Sequence, residues 1–301
     1  MAIYYNNQLR NYYYGDNELV SGTIDQGLMY YGNVQVNPGI AIDDNAAEFI
    51  LATGISGSTA NAINQLVISL KNDNLWNEMY AIYPLVGGTF NSCKYNLKDI
   101  NTYTLTINGN TGPSFNVNGV FFTGTGDENS GLLDTGFTDS SSIWTYNDAS
   151  MGYYLNNGAG GGGFTRQMGC NTGSVSGLPG TYIGRNDSII FSTLGISNNT
   201  ISGSAAGIGI DFEGLYSVSA NISTTTIYKN GTSVNSTPVI SSPGFDYSNQ
   251  TILIGGVRNQ RILQFGRFAF AYVGAGLDDT QISNLNTIVE TFQTTLGRQA
   301  S

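Results

Sequence analysis

The acidic residues that could carry out catalysis are few and poorly placed for it. Asp211 and Glu213 stand two positions apart on a predicted strand, so their carboxylates would point to the same face of a sheet. Cleavage of a glycosidic bond requires two carboxyl groups that flank the bond, one as acid and the other as base or nucleophile. Gly214 follows the pair, and no third acid stands close by. A solvated strand face is the commoner role of such a pair, and we predict no catalytic residue.

Histidine is absent from the chain, and its absence removes most routes to enzymatic catalysis. Ser–His and Cys–His nucleophiles, histidine general bases and most catalytic zinc sites all require this side chain. Charged residues make up only 11% of the chain, and the formal net charge is -10. Because an acidic surface repels a phosphate backbone, the composition argues against nucleic acid as a partner.

Two loops offer ligand atoms but lack the residue spacing of known calcium-binding or phosphate-binding loops. Asp127, Glu128 and Asn129, together with Asp134, supply hard oxygen ligands of the kind that bind calcium. The EF-hand spacing and its glycine are missing, so a polar turn is the favoured interpretation. The glycine-rich run 158–163 has no following Lys-Ser/Thr pair, which a phosphate-binding loop requires. We therefore predict no metal site and no cofactor.

A group of aromatic and amide side chains gives the best candidate for ligand binding. Tyr, Ser, Gly and Asn are the residues that make adaptable recognition loops. Exposed rings can stack on the apolar face of a sugar, while amides and hydroxyls bond to its edges. Half or more of these rings could instead belong to the core, as is usual for aromatics on strands. The candidate ligand-binding residues are Trp144, Tyr146, Tyr153, Tyr154, Asn156 and Asn157.

The start of the chain and its two cysteines bear on the compartment. Residues 1–7 show no basic region followed by an apolar run, and no stretch approaches the ~20 apolar residues of a membrane span. We therefore expect neither classical secretion nor membrane insertion. Cys93 and Cys170 are far apart and lack metal-site spacing, so they are either free core thiols, which we favour, or a single bridge.

The first 38 residues are predicted to form a separate attachment segment. Aromatic strands that end in glycine turns repeat loosely at 11–15 and 28–36. Such hairpins are too short to bury their own tyrosines, so a partner surface is expected. The run 37–39, Asn-Pro-Gly, separates the segment from a domain at 39–301. The predicted attachment residues are Tyr4, Tyr5, Tyr12, Tyr13, Tyr14, Tyr30 and Tyr31.

A helical lead-in at about 43–79 is predicted to open the domain. Asp43 or Asp44 can cap a first helix, and Gly54 stands in the usual stop position. Thr59 can cap a second helix with apolar residues at helical spacing. We expect this amphipathic pair to pack on a sheet.

A last helix at about 278–296 closes the chain, and strands fill the region between. Asp278 and Gln281 have the spacing of a capping box, and Gly297 ends the apolar pattern. Period-two runs of β-branched and aromatic residues, broken by Gly and Asn-Gly turns, indicate an antiparallel sandwich. The predicted strands are 80–86, 103–107, 188–192, 216–220, 225–229, 251–256 and 268–273.

Several motifs resemble the concanavalin A-like, laminin-G-like jelly-roll family. Residues 45–98 are similar to the lead-in found on such domains in phage virion proteins, and 3–7 resemble the start of phage tail and adhesin components. The motifs that precede the closing helix are YKNG at 228–231, LIGG at 253–256, GRF at 266–268 and GLDD at 276–279.

The resemblance implies a mainly β protein: an antiparallel jelly-roll β-sandwich with a short N-terminal tyrosine-rich β segment, a helical pair and a C-terminal helix. It implies a non-enzymatic bacteriophage virion structural protein, displayed as a head fibre, capsid decoration or tail adhesin. Residues 1–38 would attach it to other capsid or tail proteins in the virion, as a homo-oligomer, and its lectin-like domain would contact host surface glycans. Two alternatives stay open: an architectural component with no ligand, and a glycan hydrolase of the same fold.

Overall fold

In the structure, a computed structural model, two antiparallel sheets pack face to face and helices cover the outer side of one of them. The fold is mainly β with few helices, as predicted. The structure describes residues 12–14, 17–19, 29–31, 34–36, 42–109, 112–123, 131–138, 143–145, 147–158, 165–171, 180–185, 190–193, 201–203, 213–238, 250–257 and 265–300.

The helices begin and end at the capping residues of the sequence. Asp43 caps the first by accepting a hydrogen bond from the N–H of Asn45, and Gly54 ends it in the left-handed conformation. Asp278 and Gln281 form both hydrogen bonds of the predicted capping box. The helices are α1 (Asp44–Thr53), α2 (Gly57–Asn72), α3 (Phe90–Cys93) and α4 (Asp279–Thr295), with a 3-10 turn at Trp76–Glu78.

The second helix corrects one predicted boundary. α2 begins at Gly57 after Ser56, earlier than a cap at Thr59 would allow. Ser56 makes no side-chain capping bond, so the start of α2 is set by its packing and not by a cap. None of the described helices is both long and apolar enough to cross a membrane.

Nineteen strands lie in the described part of the chain, and every pairing between them is antiparallel. The strands are β1 (Tyr12–Tyr14), β2 (Asn17–Leu19), β3 (Met29–Tyr31), β4 (Val34–Val36), β5 (Met79–Tyr83), β6 (Thr106–Asn108), β7 (Ser114–Asn116), β8 (Gly119–Thr123), β9 (Leu132–Thr138), β10 (Asp148–Gly158), β11 (Thr165–Asn171), β12 (Gly180–Arg185), β13 (Ile190–Thr193), β14 (Ile201–Gly203), β15 (Gly214–Asn221), β16 (Thr224–Lys229), β17 (Thr232–Pro238), β18 (Thr251–Ile254) and β19 (Phe265–Gly274).

Two large sheets form the sandwich. The helix-covered sheet has the order β17-β16-β15-β10-β19-β8-β7, and β5 pairs with the C-terminal part of β19. The second sheet has the order β14-β13-β12-β11-β18-β9-β6. β1 pairs with β2 and β3 with β4 as two hairpins in the tyrosine-rich segment. Tyr12, Tyr13, Tyr14, Tyr30 and Tyr31 lie on these strands, and attachment through them stays a prediction; Tyr4 and Tyr5 fall outside the described residues.

The helix-covered sheet separates two hydrophobic cores. The helix-side core lies between α1, α2, α4 and the sheet, and the sandwich core lies between the two sheets. Successive residues of a strand point to opposite faces, and β10 shows this with Tyr154 in the helix-side core and its neighbours Tyr153 and Leu155 in the sandwich core. A strand covered on both faces is apolar at successive positions.

Arg298 donates hydrogen bonds to backbone carbonyls at the place where β19 changes its partner strand in the helix-covered sheet. β8 pairs with Phe265–Phe268 and β5 with Ala271–Gly274 of the same strand. Between them, the carbonyl of Ala269 accepts hydrogen bonds from Gln293 and from Arg298. The guanidinium also donates to two further backbone carbonyls and to the Gln293 amide oxygen. Because Arg298 is almost fully buried, its pKa is lowered to about 10.

Cys93 and Cys170 are not joined in a disulfide, and both are buried, which confirms the interpretation favoured from the sequence. Each belongs to the sandwich core. The Cys93 thiol donates a hydrogen bond to the carbonyl of Val86, and burial raises its pKa to about 11. It is therefore a packed core residue and not a reactive thiolate.

Candidate ligand-binding site

The residues predicted to bind a ligand do not come together. Trp144 precedes β10, whereas Asn156 and Asn157 lie near its far end. β10 has 11 residues, which corresponds to a length of about 33 Å. Tyr146 falls outside the described residues. The predicted set is thus divided between the two ends of the sandwich.

The expectation that the rings of this set are exposed was wrong for the three that the structure describes. Trp144 is 3% exposed, and Tyr153 and Tyr154 are fully buried. Tyr153 stacks on Tyr216 with ring centroids 5.3 Å apart, and Trp144 donates its indole N–H to the carbonyl of Gly274 at 2.8 Å. The physical reason is that β10 is a central strand with helices on one face and the second sheet on the other, so neither face can present a ring to solvent.

The two asparagines at the far end of β10 differ in their surroundings. Asn156 is half-buried, and its side-chain N–H donates to the carbonyl of Asn118 at 2.7 Å. Asn157 is exposed. Tyr153 and Tyr154 are buried, so they cannot join these amides in an exposed sugar platform.

A different aromatic cluster lies at the end of the sandwich where β10 begins. Tyr80 stacks on Phe137 with a centroid distance of 6.0 Å, and Tyr103 meets the same ring edge-on at 5.0 Å. Phe137 in turn packs against Trp144 at 5.6 Å. Tyr80 and Tyr103 are half-exposed, whereas Phe137 and Trp144 are buried. The loop end, as we call residues 99–105, 143–145, 147 and 148 with Tyr80, thus presents two half-exposed rings over a buried aromatic base.

Hydrogen bonds hold the loops that carry these rings. The Tyr80 hydroxyl donates to the carbonyl of Ile143 at 2.8 Å, and the Tyr83 hydroxyl donates to the carbonyl of Tyr103 at 2.7 Å. Burial, followed by the charges of Asp148 and Glu78, raises the pKa of Tyr80. Its hydroxyl therefore stays protonated and keeps its donor role across the physiological range.

Polar groups surround the rings, among them the exposed carboxylates of Asp99 and Asp148. Thr145 donates its hydroxyl to the side-chain oxygen of Asn147 at 3.0 Å. The carbonyl of Asn147 accepts from the N–H of Ile222, which attaches the β15–β16 turn to this loop. Asn101 and Thr102 are exposed beside Tyr103. Hydroxyls and amides next to aromatic rings are the groups that proteins use to bind sugar hydroxyls.

Two backbone outliers lie at or beside this end. Tyr103 has φ of 52° and Ile222 has φ of 54°. The left-handed region is unfavourable for aromatic and β-branched residues, and such strain concentrates at functional sites. Tyr103 was expected in a strand over 103–107, but β6 begins only at Thr106 because of this conformation.

The structure describes only some of the acidic candidates. No group of three metal-ligating side chains occurs among the described residues. Asp134 accepts a hydrogen bond from the N–H of Gly136 within its own strand, and residues 127–129 fall outside the described ranges. Glu213 is half-exposed just before β15, and Asp211 falls outside.

Solved structures supply the comparison for this fold. No protein-family model matches the chain, and no curated protein matches it either. The binding domain of botulinum neurotoxin DC, solved in complex with SialylT, is 17% identical over 71% of this chain, with a TM-score of 0.51. The receptor-binding domain of botulinum neurotoxin D is 12% identical over 70% of this chain, with a TM-score of 0.51.

These matches establish a likeness of fold. The chain spans about half of each domain, 52% for neurotoxin DC and 53% for neurotoxin D. At this level of identity the ligands of those domains belong to those domains alone. The structure therefore assigns to this chain a β-sandwich similar to part of the botulinum neurotoxin binding domains.

Proposed function

We propose that the chain is a non-enzymatic, lectin-like module that binds glycans through the loop end. The observation that carries the proposal is the pair of half-exposed rings, Tyr80 and Tyr103, which are both packed on the buried ring of Phe137. A sugar needs an apolar surface for its ring face and neutral donors and acceptors for its hydroxyls. The loop end offers both within a few residues.

The geometry favours weak binding at each site. The rings lie on the surface of a sandwich end and not in a deep cavity, so a bound sugar would lose little contact with water. Rigid aromatics bind at small entropic cost, but a shallow contact limits the affinity. Several copies that bind at once would raise the apparent affinity by avidity.

The comparison supports the choice of the first ligands to test. The neurotoxin DC domain was solved with SialylT, so sialylated glycans are the reasonable first probes for the sandwich shared with this chain. Asparagine, threonine and tyrosine at the loop end can donate hydrogen bonds to an acidic sugar, whereas the exposed carboxylates of Asp99 and Asp148 would repel it, so neutral glycans belong in the same comparison.

The finer part of the proposal places the module on a bacteriophage particle, as a head fibre, capsid decoration or tail adhesin. It rests on the sequence resemblance of residues 45–98 to phage virion proteins and on the tyrosine-rich segment 1–38. An architectural role without any ligand is the alternative. Imaging of labelled chain on intact particles tests the location, and its absence from purified particles would contradict it.

The binding experiment compares ring-removal variants on a glycan array. Tyr103→Asn removes the ring but suits the left-handed backbone, and Tyr80→Leu keeps apolar packing against Phe137. Each variant is expected to lower glycan binding at least ~10-fold. Tyr95→Ala, a half-buried tyrosine against the helix-side core, is the matched control and is expected to keep binding. Unchanged binding in both ring variants, with melting temperatures preserved, contradicts the proposed site.

A further inference from the structure

A surface separate from the ring pair lies where the two sheets end side by side. β6 is the last strand of the second sheet and β7 is the last strand of the helix-covered sheet. Each has one edge without a partner strand among those described. At the opposite side of the sandwich, the terminal strands β14 and β17 lie next to each other. In the part of the chain that the structure describes, the β6–β7 side is therefore the more open of the two.

An apolar patch occupies this open side. The half-exposed rings of Phe90 and Phe115 contact each other at 5.7 Å, and Val117 in the β7–β8 turn is 74% exposed. We call these three residues the Phe115 patch. Ile107 on β6 adds a second exposed aliphatic side chain, at 39%. Exposed apolar groups that lie together mark association surfaces.

Charge is sparse on the strands of this side. The described segments 79–93, 100–109 and 112–123 contain no Asp, Glu, Lys or Arg, in a chain with a net charge of -10, and Asp134 on β9 pairs with Thr106 of β6. Exposed strand edges normally carry charges that prevent pairing with another chain. Two copies of an acidic chain repel each other over the ~8 Å screening length, and they approach at a smaller cost through a side whose edge strands carry no charge of their own. A basic partner would instead be drawn to the acidic remainder of the surface.

We propose that the Phe115 patch, with the edges of β6 and β7, is a two-fold self-association surface whose occupant is a second copy of this chain. Under two-fold symmetry one patch meets the same patch of the other copy, so a single apolar surface is enough for complementarity. An antiparallel strand edge can likewise pair with its own copy. Pairing places two loop ends on one dimer, although the association itself does not depend on glycan binding.

Sedimentation analysis of the full chain tests the proposal. Between about 1 µM and about 500 µM, a range that covers weak to moderate interfaces, the wild type is expected to convert reversibly from monomer to dimer. Val117→Asp places a charge in the patch without removing a core residue, and it should weaken dimerisation at least ~10-fold. Val117→Ser removes the methyl groups without a charge and should weaken it at least ~3-fold.

The matched control is Ile222→Asp, which makes the same charge change at another exposed aliphatic residue, 79% exposed in the β15–β16 turn. Its dimer dissociation constant is expected to equal that of the wild type. A wild type that stays monomeric throughout the range overturns the proposal. Equal weakening by Val117→Asp and Ile222→Asp also overturns it, because general charge repulsion would then explain the effect.

Discussion

The two faces of the helix-covered sheet bury tyrosines in different ways. On the helix side, the Tyr154 hydroxyl donates to Glu290 at 3.0 Å and the Tyr228 hydroxyl donates to Asp279 at 2.7 Å. Both acceptors are carboxylates on α4. The helix therefore attaches to the sheet through charge-assisted hydrogen bonds as well as through apolar packing.

On the sandwich side, the neighbouring tyrosines pack mainly ring against ring. Tyr153 stacks on Tyr216 and lies 5.2 Å from the ring of Phe268. These contacts join uncharged rings. The comparison teaches that the sandwich core depends on shape and area, whereas attachment of the helix layer also depends on the protonation of acidic side chains.

The largest expected loss of stability comes from a substitution in the sandwich core. Tyr153→Ala is predicted to lower the free energy of unfolding by about 3–5 kcal/mol, because it removes a fully buried ring and leaves a cavity. Urea titration followed by circular dichroism measures the change. A loss below about 1 kcal/mol would show that the ring is not a core residue and would reopen its assignment to a ligand site.

Arg298→Met should have the next largest effect and lower the free energy of unfolding by about 2–4 kcal/mol. The substitution keeps much of the apolar stem but leaves the buried carbonyls of Pro84, Leu85 and Ala269 with fewer donors. Arg298→Lys retains one donor group and should cost less. An Arg298→Lys variant as stable as the wild type would contradict the idea that the planar guanidinium serves several carbonyls at once.

Glu290 should make attachment of the helix layer depend on pH. Burial raises the pKa of this carboxyl above its ordinary value of 4.5, so the folded chain holds the proton more tightly than the unfolded chain. The resulting stability is fully present below pH 4.5 and is lost as the pH rises through the raised pKa. Glu290→Gln keeps an acceptor for Tyr154, and melting temperatures across this range should vary less with pH than in the wild type. An unchanged pH profile would assign the dependence to other groups.

The smallest expected effect is a gain in stability at the β15–β16 turn. Ile222→Asn should stabilise the chain by about 0.5–1 kcal/mol, because asparagine tolerates the left-handed backbone that isoleucine adopts at φ of 54°. Ile222→Val, also β-branched, is the control and should give no gain. Differential scanning calorimetry distinguishes the two, and a destabilised Asn variant would show that the Ile222 side chain makes a needed contact.

Predictions from the sequence succeeded where the signal was local. The capping residues Asp43 and Asp278 and the stop at Gly54 gave the ends of α1 and the start of α4. The predicted strands at 216–220 and 225–229 correspond to β15 and β16, joined by a tight turn. Each of these elements is defined by a few neighbouring residues, so no information from distant parts of the chain was needed.

Predictions failed where distant segments decide the structure. Strands β7 to β12 fall in the glycine- and serine-rich region 110–190, where the sequence shows no clear periodicity. β10 became the centre of its sheet through pairing with β15 and β19, which come much later in the chain. That position buried Tyr153 and Tyr154, which local composition had suggested as loop residues.

The sequence by itself determined the mainly β class, the caps of α1 and α4 and the absence of histidine chemistry, because these follow from residue type and short-range spacing. The tertiary structure alone decided which rings face solvent. Tyr80, Tyr103 and Phe137 are far apart in the chain, and only the packing of β5 and β9 with the loop before β6 brings them together. Exposure is a property of what covers a side chain, and the covering groups come from strands that the local pattern does not identify.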